Sequence, residues 1–230
     1  MEFRISDKFT AVVPTPPSSG AIVGGILKIL NEFHSEGEKE RIIIQRCVEA
    51  MKFAYAQRSK FGDWHDPKVG QSVRDTIAYM QSKEWIDFVK ERFKHNATSA
   101  DTDYYGANYH FAQEDHGTSS ISVISQNGDA VVATSSIHLY FGSGIISPAT
   151  HIILNDEMND FSRPNASNAY GIAPSEQNFI APGKRPQSSM SPILVLDEND
   201  NVRLAIGGSG GSRIISGVAY VSIKLNHLQF

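Results

Sequence analysis

Four short clusters of small polar residues interrupt the apolar patterning of this chain: Gly117-Thr118-Ser119-Ser120, Asn155-Asp156-Glu157-Met158-Asn159-Asp160, Pro186-Gln187-Ser188-Ser189-Met190-Ser191-Pro192 and Ile206-Gly207-Gly208-Ser209-Gly210-Gly211-Ser212. Packing does not explain them, and hydroxyl, carboxylate and backbone N–H groups are what hold a polar ligand. The chain contains no HExxH, GxSxG or GxxxxGK[ST] pattern, and the glycine cluster lacks the lysine that a phosphate loop requires. That cluster reads either as a flexible turn or as a close-approach loop whose backbone N–H groups face a ligand. A fifth polar run, Asp197-Glu198-Asn199-Asp200-Asn201, suggests a calcium loop at first sight. Val202 stands where such a loop needs glycine and no glutamate closes it, so it reads as a solvated turn.

The elements that must position these clusters change character along the chain. After the turn-like Thr15-Pro16-Pro17-Ser18-Ser19-Gly20, residues Ala21 to Phe33 place Ile22, Ile26, Ile29, Leu30 and Phe33 on one helical face. Arg41 to Lys60 repeats the pattern through Ile44, Cys47, Val48, Met51 and Tyr55, and two shorter helices are predicted at 69–81 and 82–94, the second with Ser82 as N-cap. From Ile121 the period becomes that of strands. Residues 121–125 and 130–134 flank an Asn127-Gly128 turn, a strong hairpin signal, and 193–196 with 202–206 predict a second hairpin. The first part therefore reads as helical and the second as β, with a changeover between about Ala100 and Thr118. Helices followed by strands, not alternating with them, predict an α+β arrangement.

With 230 residues, 40% of them hydrophobic, the chain can bury a sizeable core, and a net charge of -4 withholds the basic field that nucleic-acid binders use. The longest apolar-leaning run, Gly20 to Leu30, contains Lys28 and is far short of the ~20 residues that span a bilayer. The N-terminal residues carry no export signal. Cys47 is the single cysteine, which excludes an intrachain disulfide and a CxxC site. Asn96-Ala97-Thr98 and Asn165-Ala166-Ser167 are glycosylation sequons.

Taken together and in this order, the clusters resemble the γ-glutamyltranspeptidase (glutathione hydrolase) family of N-terminal nucleophile hydrolases. Val48-Glu49-Ala50-Met51-Lys52-Phe53-Ala54-Tyr55-Ala56-Gln57-Arg58 and Phe61-Gly62-Asp63 are similar to the end of that family's large subunit. Thr118 onward resembles the start of its small subunit, through Leu139-Tyr140-Phe141-Gly142, Leu154 to Ser162 and Pro182-Gly183-Lys184-Arg185-Pro186. The resemblance implies a four-layer αββα sandwich, here incomplete, and a self-cut between Gly117 and Thr118. The cut would give a large segment, 1–117, and a small segment, 118–230, that stay associated. A threonine hydroxyl is a poor nucleophile without a base, and a chain-initial threonine supplies one in its own α-amine, which titrates near ~7.7–8.0. By the same resemblance Ser136 stands where a hydroxyl hydrogen-bonds the nucleophile. Glu157 and Asp160 hold the substrate α-amino group, Ser188 and Ser189 its carboxylate, and Gly210 and Gly211 form the oxyanion hole with backbone N–H groups. The implied reaction transfers the γ-glutamyl group of glutathione or a related compound to water or to an acceptor amino acid or dipeptide, with no metal or organic cofactor.

His138 occupies a position where the family usually has a substrate-contacting asparagine. An imidazole can still hydrogen-bond there. The family's large subunit normally begins upstream of Met1, with the signal-anchor of animal members and an arginine for the substrate carboxylate, and its small subunit continues past Phe230. The chain is thus expected to be the middle of such a protein, whose full-length form sits at the outer face of the plasma membrane. A second expectation is a shortened, inactive paralogue serving as a binding or dimerisation module.

Overall fold

A computed structural model describes residues 1–33, 39–107, 117–164 and 174–226. The element order is β1 (Glu2–Arg4), β2 (Thr10–Val12), α1 (Gly20–Glu32), α2 (Glu40–Arg58), α3 (Gly70–Gln81), α4 (Lys83–Arg92), β3 (Thr118–Ile124), β4 (Ala130–Ser136), β5 (Ile193–Leu196), β6 (Val202–Ile206) and α5 (Arg213–Asn226). The predicted helices form within two residues of their expected ends. Ser82 caps α4 by accepting the Trp85 N–H at 3.2 Å. Both predicted hairpins form as well. Gly128 takes φ +92° in the Asn-Gly turn, and Asp197 Oδ1 closes the other connection by accepting the N–H groups of Asn199 and Asn201 at 2.9 and 3.0 Å.

Among the described residues, four of the five α-helices precede Thr118 and four of the six strands begin at or after it, but neither part is purely of one kind. Two three-residue strands, β1 and β2, lie at the N-terminus, and α5 follows the glycine cluster. One antiparallel sheet has the order β1-β2-β5-β6, so residues on both sides of Thr118 share it, with Ala11 opposite Val195. Strands β3 and β4 form a separate antiparallel pair that lies against the β5–β6 end.

Helices α1 and α5 cover the first sheet, with α2 packed on α1. Ile22, Ile26, Phe53, Trp85, Ile193 and Ile215 are fully or almost fully buried in this core. Ile193 and Val195 point into it while Leu194 and Leu196 do not, the alternation a strand imposes. A helical layer, a sheet and the β3–β4 layer are therefore in place. The face of the β3–β4 pair turned away is open among the described residues, with Ile121 61%, Val123 53% and Val131 63% exposed.

One polar clamp fixes the loop after residue 181 to the end of α2. Asp63 is buried and receives Arg185 Nη2 at 2.6 Å, Arg185 Nε at 3.0 Å and the Arg185 backbone N–H at 3.0 Å. Arg185 Nη2 also reaches the Pro16 carbonyl at 3.3 Å. Burial alone would raise the Asp63 carboxyl. The hydrogen bonds from Arg185 and from the His65 N–H, with the Arg185 charge, overcome that and hold it at about 2.

A carboxyl with a depressed folded-state value stabilises the fold above its unfolded value, near ~3.9, and that contribution fades as pH falls towards the folded value. Asp63→Asn should cost about 2 kcal/mol near neutral pH, from a depression to about 2 at ~1.36 kcal/mol per unit. Urea unfolding should show this cost shrinking as pH drops below roughly 4; an equal cost at both ends would refute the assignment. Cys47 is 2% exposed and burial pushes its thiol up to about 11. A thiol reagent at mildly alkaline pH should therefore label the folded chain on the order of 10²-fold more slowly than the unfolded chain.

Candidate active site

The first residue of β3 is Thr118, and its cross-strand partner is Ser136, the last residue of β4. Thr118 Oγ1 donates to Ser136 Oγ at 2.9 Å, and the same oxygen accepts the His138 N–H at 3.0 Å. Two residues further, Ser120 Oγ and Thr134 Oγ1 lie 3.0 Å apart. Residues i and i+2 of a strand share a face, so Thr118, Ser120, Thr134 and Ser136 form a ladder of hydroxyls on one side of the hairpin. The ladder continues as backbone pairing before β3: Gly117 donates to the His138 carbonyl at 2.7 Å and accepts from the Ile137 N–H at 3.0 Å. A Cβ on Gly117 would sit 2.3 Å from the Leu139 carbonyl oxygen, so no other residue fits without moving the chain.

The glycine cluster meets this ladder. A Cβ on Gly207 would fall 2.3 Å from Ser120 Oγ and 3.2 Å from Thr134 Oγ1, which makes the cluster a close-approach loop and not a free turn. Gly210 and Gly211 have φ +121° and +57°, and their carbonyls accept the Arg213 and Ile214 N–H groups as the chain enters α5. Neither of their own N–H groups meets a protein acceptor among the described residues. The start of α5 is tied to α2 by Tyr55, whose hydroxyl donates to the Ser212 carbonyl at 3.0 Å and whose phenol burial pushes upward.

A short turn, Glu157–Asp160, together with the residue before it, brings two carboxylates, Asp156 and Asp160, to His138. The imidazole is fully buried, with Nε2 3.1 Å from Asp160 Oδ1 and Nδ1 3.4 Å from Asp156 Oδ1. Neither approach has hydrogen-bond geometry, so the ring lies close to the two acids without a directed bond to either. His138 holds φ +71°, a strained value for a non-glycine residue. Asp156 Oδ1 is also spent on the Leu139 N–H at 3.1 Å. Glu157 differs: its Oε1 is buried without a hydrogen-bond partner among the described residues, a state that calls for a donor.

Ser188 and Ser189 sit where three segments converge. The Ser188 N–H donates to the Pro17 carbonyl at 2.9 Å and its carbonyl accepts Ser19 Oγ at 2.7 Å. Ser189 Oγ accepts Nη2 of Arg58 at 3.0 Å, and Nε of the same guanidinium donates to Ser19 Oγ at 3.1 Å. Burial disfavours the Arg58 charge, while Tyr55 and Asp160 favour it. No local pattern in the sequence marks Arg58, Ser19, Asp156, Asp63 or Arg185 as site residues. Their partners lie too far along the chain for any local pattern to pair them, although Arg58 and Asp63 fall in the stretches that carry the resemblance.

Among the described residues no group of three or more His, Cys, Asp or Glu side chains could hold a metal ion, and no helix is long and apolar enough to cross a membrane. Asn96 lies exposed in a bend, and Asn165 lies outside the described residues.

Residues 1–230 match the family model for gamma-glutamyltranspeptidase. The chain is 44% identical over 228 residues to Scoloptoxin SSD14 of Scolopendra dehaani, covering 96% of this chain and 38% of that protein. It is 39% identical to glutathione hydrolase 2 of Arabidopsis thaliana, covering 94% and 36%, and 38% identical to glutathione hydrolase proenzyme 1 of Schizosaccharomyces pombe, covering 95% and 34%. The chain thus spans little more than a third of the length of these relatives. Cephalosporin acylase from Bacillus halodurans matches 100% of the chain and 37% of its own at a TM-score of 0.65 and 18% identity, a likeness of fold. With a family model spanning every residue, the chain belongs to the gamma-glutamyltranspeptidase family.

Proposed function

We propose that the protein carrying this chain is a γ-glutamyltransferase and glutathione hydrolase that works through Thr118. The observation that carries the reading is the hydroxyl pair Thr118–Ser136, 2.9 Å apart at the end of the β3–β4 ladder, with the Ser136 oxygen also accepting a backbone N–H. Ser136 is thereby fixed as an acceptor that aims the threonine proton. Maturation starts when Thr118 Oγ1 attacks the Gly117 carbonyl carbon. The C–N bond breaks as the ester C–O bond forms, water hydrolyses the ester, and Thr118 is left with a free α-amine. The Ile137 N–H already polarises the carbonyl that is attacked. A fission-yeast relative is a glutathione hydrolase proenzyme, which fits activation by a cut.

In turnover the freed amine takes the hydroxyl proton as Thr118 attacks the γ-amide carbonyl of glutathione or another γ-glutamyl compound. The N–H groups of Gly210 and Gly211 stabilise the oxyanion. Cysteinylglycine or another amine leaves with the proton, and water or an acceptor amino acid or dipeptide resolves the γ-glutamyl ester. Glu157 and Asp160 receive the substrate ammonium, His138 packs behind Asp160, and Ser188 and Ser189 donate to the α-carboxylate. The buried, unpartnered Glu157 Oε1 supports the ammonium role, because a substrate N–H would satisfy it. The segments 1–117 and 118–230 remain joined after the cut, since the four-stranded sheet draws on both. By family resemblance the full-length protein acts at the outer face of the plasma membrane, where Asn96 would be a glycan acceptor.

Denaturing electrophoresis of the full chain should show two pieces, the smaller one beginning Thr-Ser-Ser-Ile. Thr118→Ala should run as one band and release amine from a γ-glutamyl anilide at least ~10³-fold more slowly, whereas Thr118→Ser should retain both activities at reduced rate. Uncut protein with undiminished amine release in Thr118→Ala would refute the role. Glu157→Gln should raise KM by about 10- to 100-fold, the size of a lost charge-assisted hydrogen bond, with a smaller change in kcat.

A further inference from the structure

The buried guanidinium of Arg58 has partners unusual for a charge so far from water. It is the last residue of α2 and is 6% exposed, yet among the described residues its side chain donates to two neutral hydroxyls, Ser19 and Ser189, and to no carboxylate. A serine hydroxyl has one hydrogen, and an oxygen that accepts from a guanidinium must point that hydrogen elsewhere. For Ser19 the destination is visible, since its hydrogen goes to the Ser188 carbonyl at 2.7 Å. For Ser189, 8% exposed, no acceptor takes the hydroxyl hydrogen among the described residues. Its oxygen is held at one end by the cation and its donor end is left to be filled. The surrounding backbone is fixed, because the Ser19 N–H donates to the Met190 carbonyl at 3.0 Å and Gln187 Nε2 to the Arg58 carbonyl at 2.9 Å.

We infer that Arg58 is a positioning residue for substrate selection: acting through Ser189, it aims a polarised hydroxyl and a fixed positive charge at the α-carboxylate next to the scissile γ-amide. A donor backed by a cation favours an anionic acceptor over a neutral one, and the low dielectric of a buried site magnifies that preference. The same guanidinium feels the charge of Asp160, proposed above to take the ammonium. Arg58 therefore sits behind both poles of an amino-acid head group, so the site favours a zwitterion over a ligand lacking either charge. The inference deepens the proposed function and rests on its assignment of Ser189.

Binding separates the two. L-Glutamate and 4-aminobutyrate, which lacks the α-carboxylate, are titrated calorimetrically into the full chain carrying Thr118→Ala, where no chemistry intervenes. Glutamate should bind about 10- to 100-fold more tightly, and Arg58→Lys should remove most of that preference while leaving 4-aminobutyrate affinity within about threefold. In a Ser189→Ala background, Arg58→Lys should have little further effect, because it acts through that hydroxyl. Equal loss for both ligands, or undiminished discrimination in Arg58→Lys, overturns the role, as does a Thr118→Ala chain that does not prefer glutamate. Should Arg58→Lys fail to fold, Ser19→Ala decides. It removes one of the two oxygens orienting the guanidinium, and a selective loss of about threefold or more in glutamate affinity supports the role, while unchanged affinity overturns it. In the unmutated chain, glutamate preference without amine release from a γ-glutamyl anilide would sink the proposed reaction and leave the Arg58 assignment standing.

Discussion

There is no room for a side chain where the turn after β6 meets the β3–β4 hairpin, and the geometry of the site depends on that contact. Gly207 lies so close to Ser120 and Thr134 that a methyl group would displace a hydroxyl. The close approach holds the start of the glycine cluster against the ladder of hydroxyls that ends where Thr118 and Ser136 pair. On that face of the hairpin, hydroxyls satisfy one another across the strands at short reach, and Val132 packs against the same glycine.

Around this contact the buried charges are arranged by a second rule, that each must find polar partners. Asp63 and Arg185 meet as a chelating ion pair at the end of α2. Arg58, five residues earlier in the chain, has hydroxyl partners instead. The contrast matters chemically. A carboxylate matched to a guanidinium is quenched and structural, whereas a guanidinium facing hydroxyls keeps its field available to something else. Glu157 presents the opposite case, an acceptor oxygen withdrawn from water without a donor among the described residues.

The four helices α1–α4 and both hairpins are legible in the sequence because their signals are local: apolar spacing, a serine cap and an Asn-Gly turn. Strands β1 and β2 are three residues each, too short for alternation to register, and they exist because β5 offers an edge to pair with. Helix α5 carries a readable stripe, Ile214, Ile215, Val218, Ala219, Ser222 and Ile223, but Gly217 and a run of β-branched residues lower its helix propensity and mask it. At the site, the family pattern points to Thr118, Ser136, Glu157, Asp160, the serine pair and the glycine pair. What spacing could not convey is the support beneath them. Arg58 and Ser189, or Asp63 and Arg185, are more than 100 residues apart and become neighbours only once the sheet has closed.

That closure carries a kinetic consequence. Because β2 pairs with β5, residues 10–12 wait for residues 194–196 before the second half of their sheet exists. Entropy must be spent on a very long loop before any ladder bond rewards it, the signature of a slow-folding, high-contact-order topology. Until then α1 also lacks α5, the helix after β6 that packs on it. A ribosome-bound chain would therefore display a sticky, half-built core until β5 has emerged, making chaperone demand and aggregation risk properties of the strand order itself.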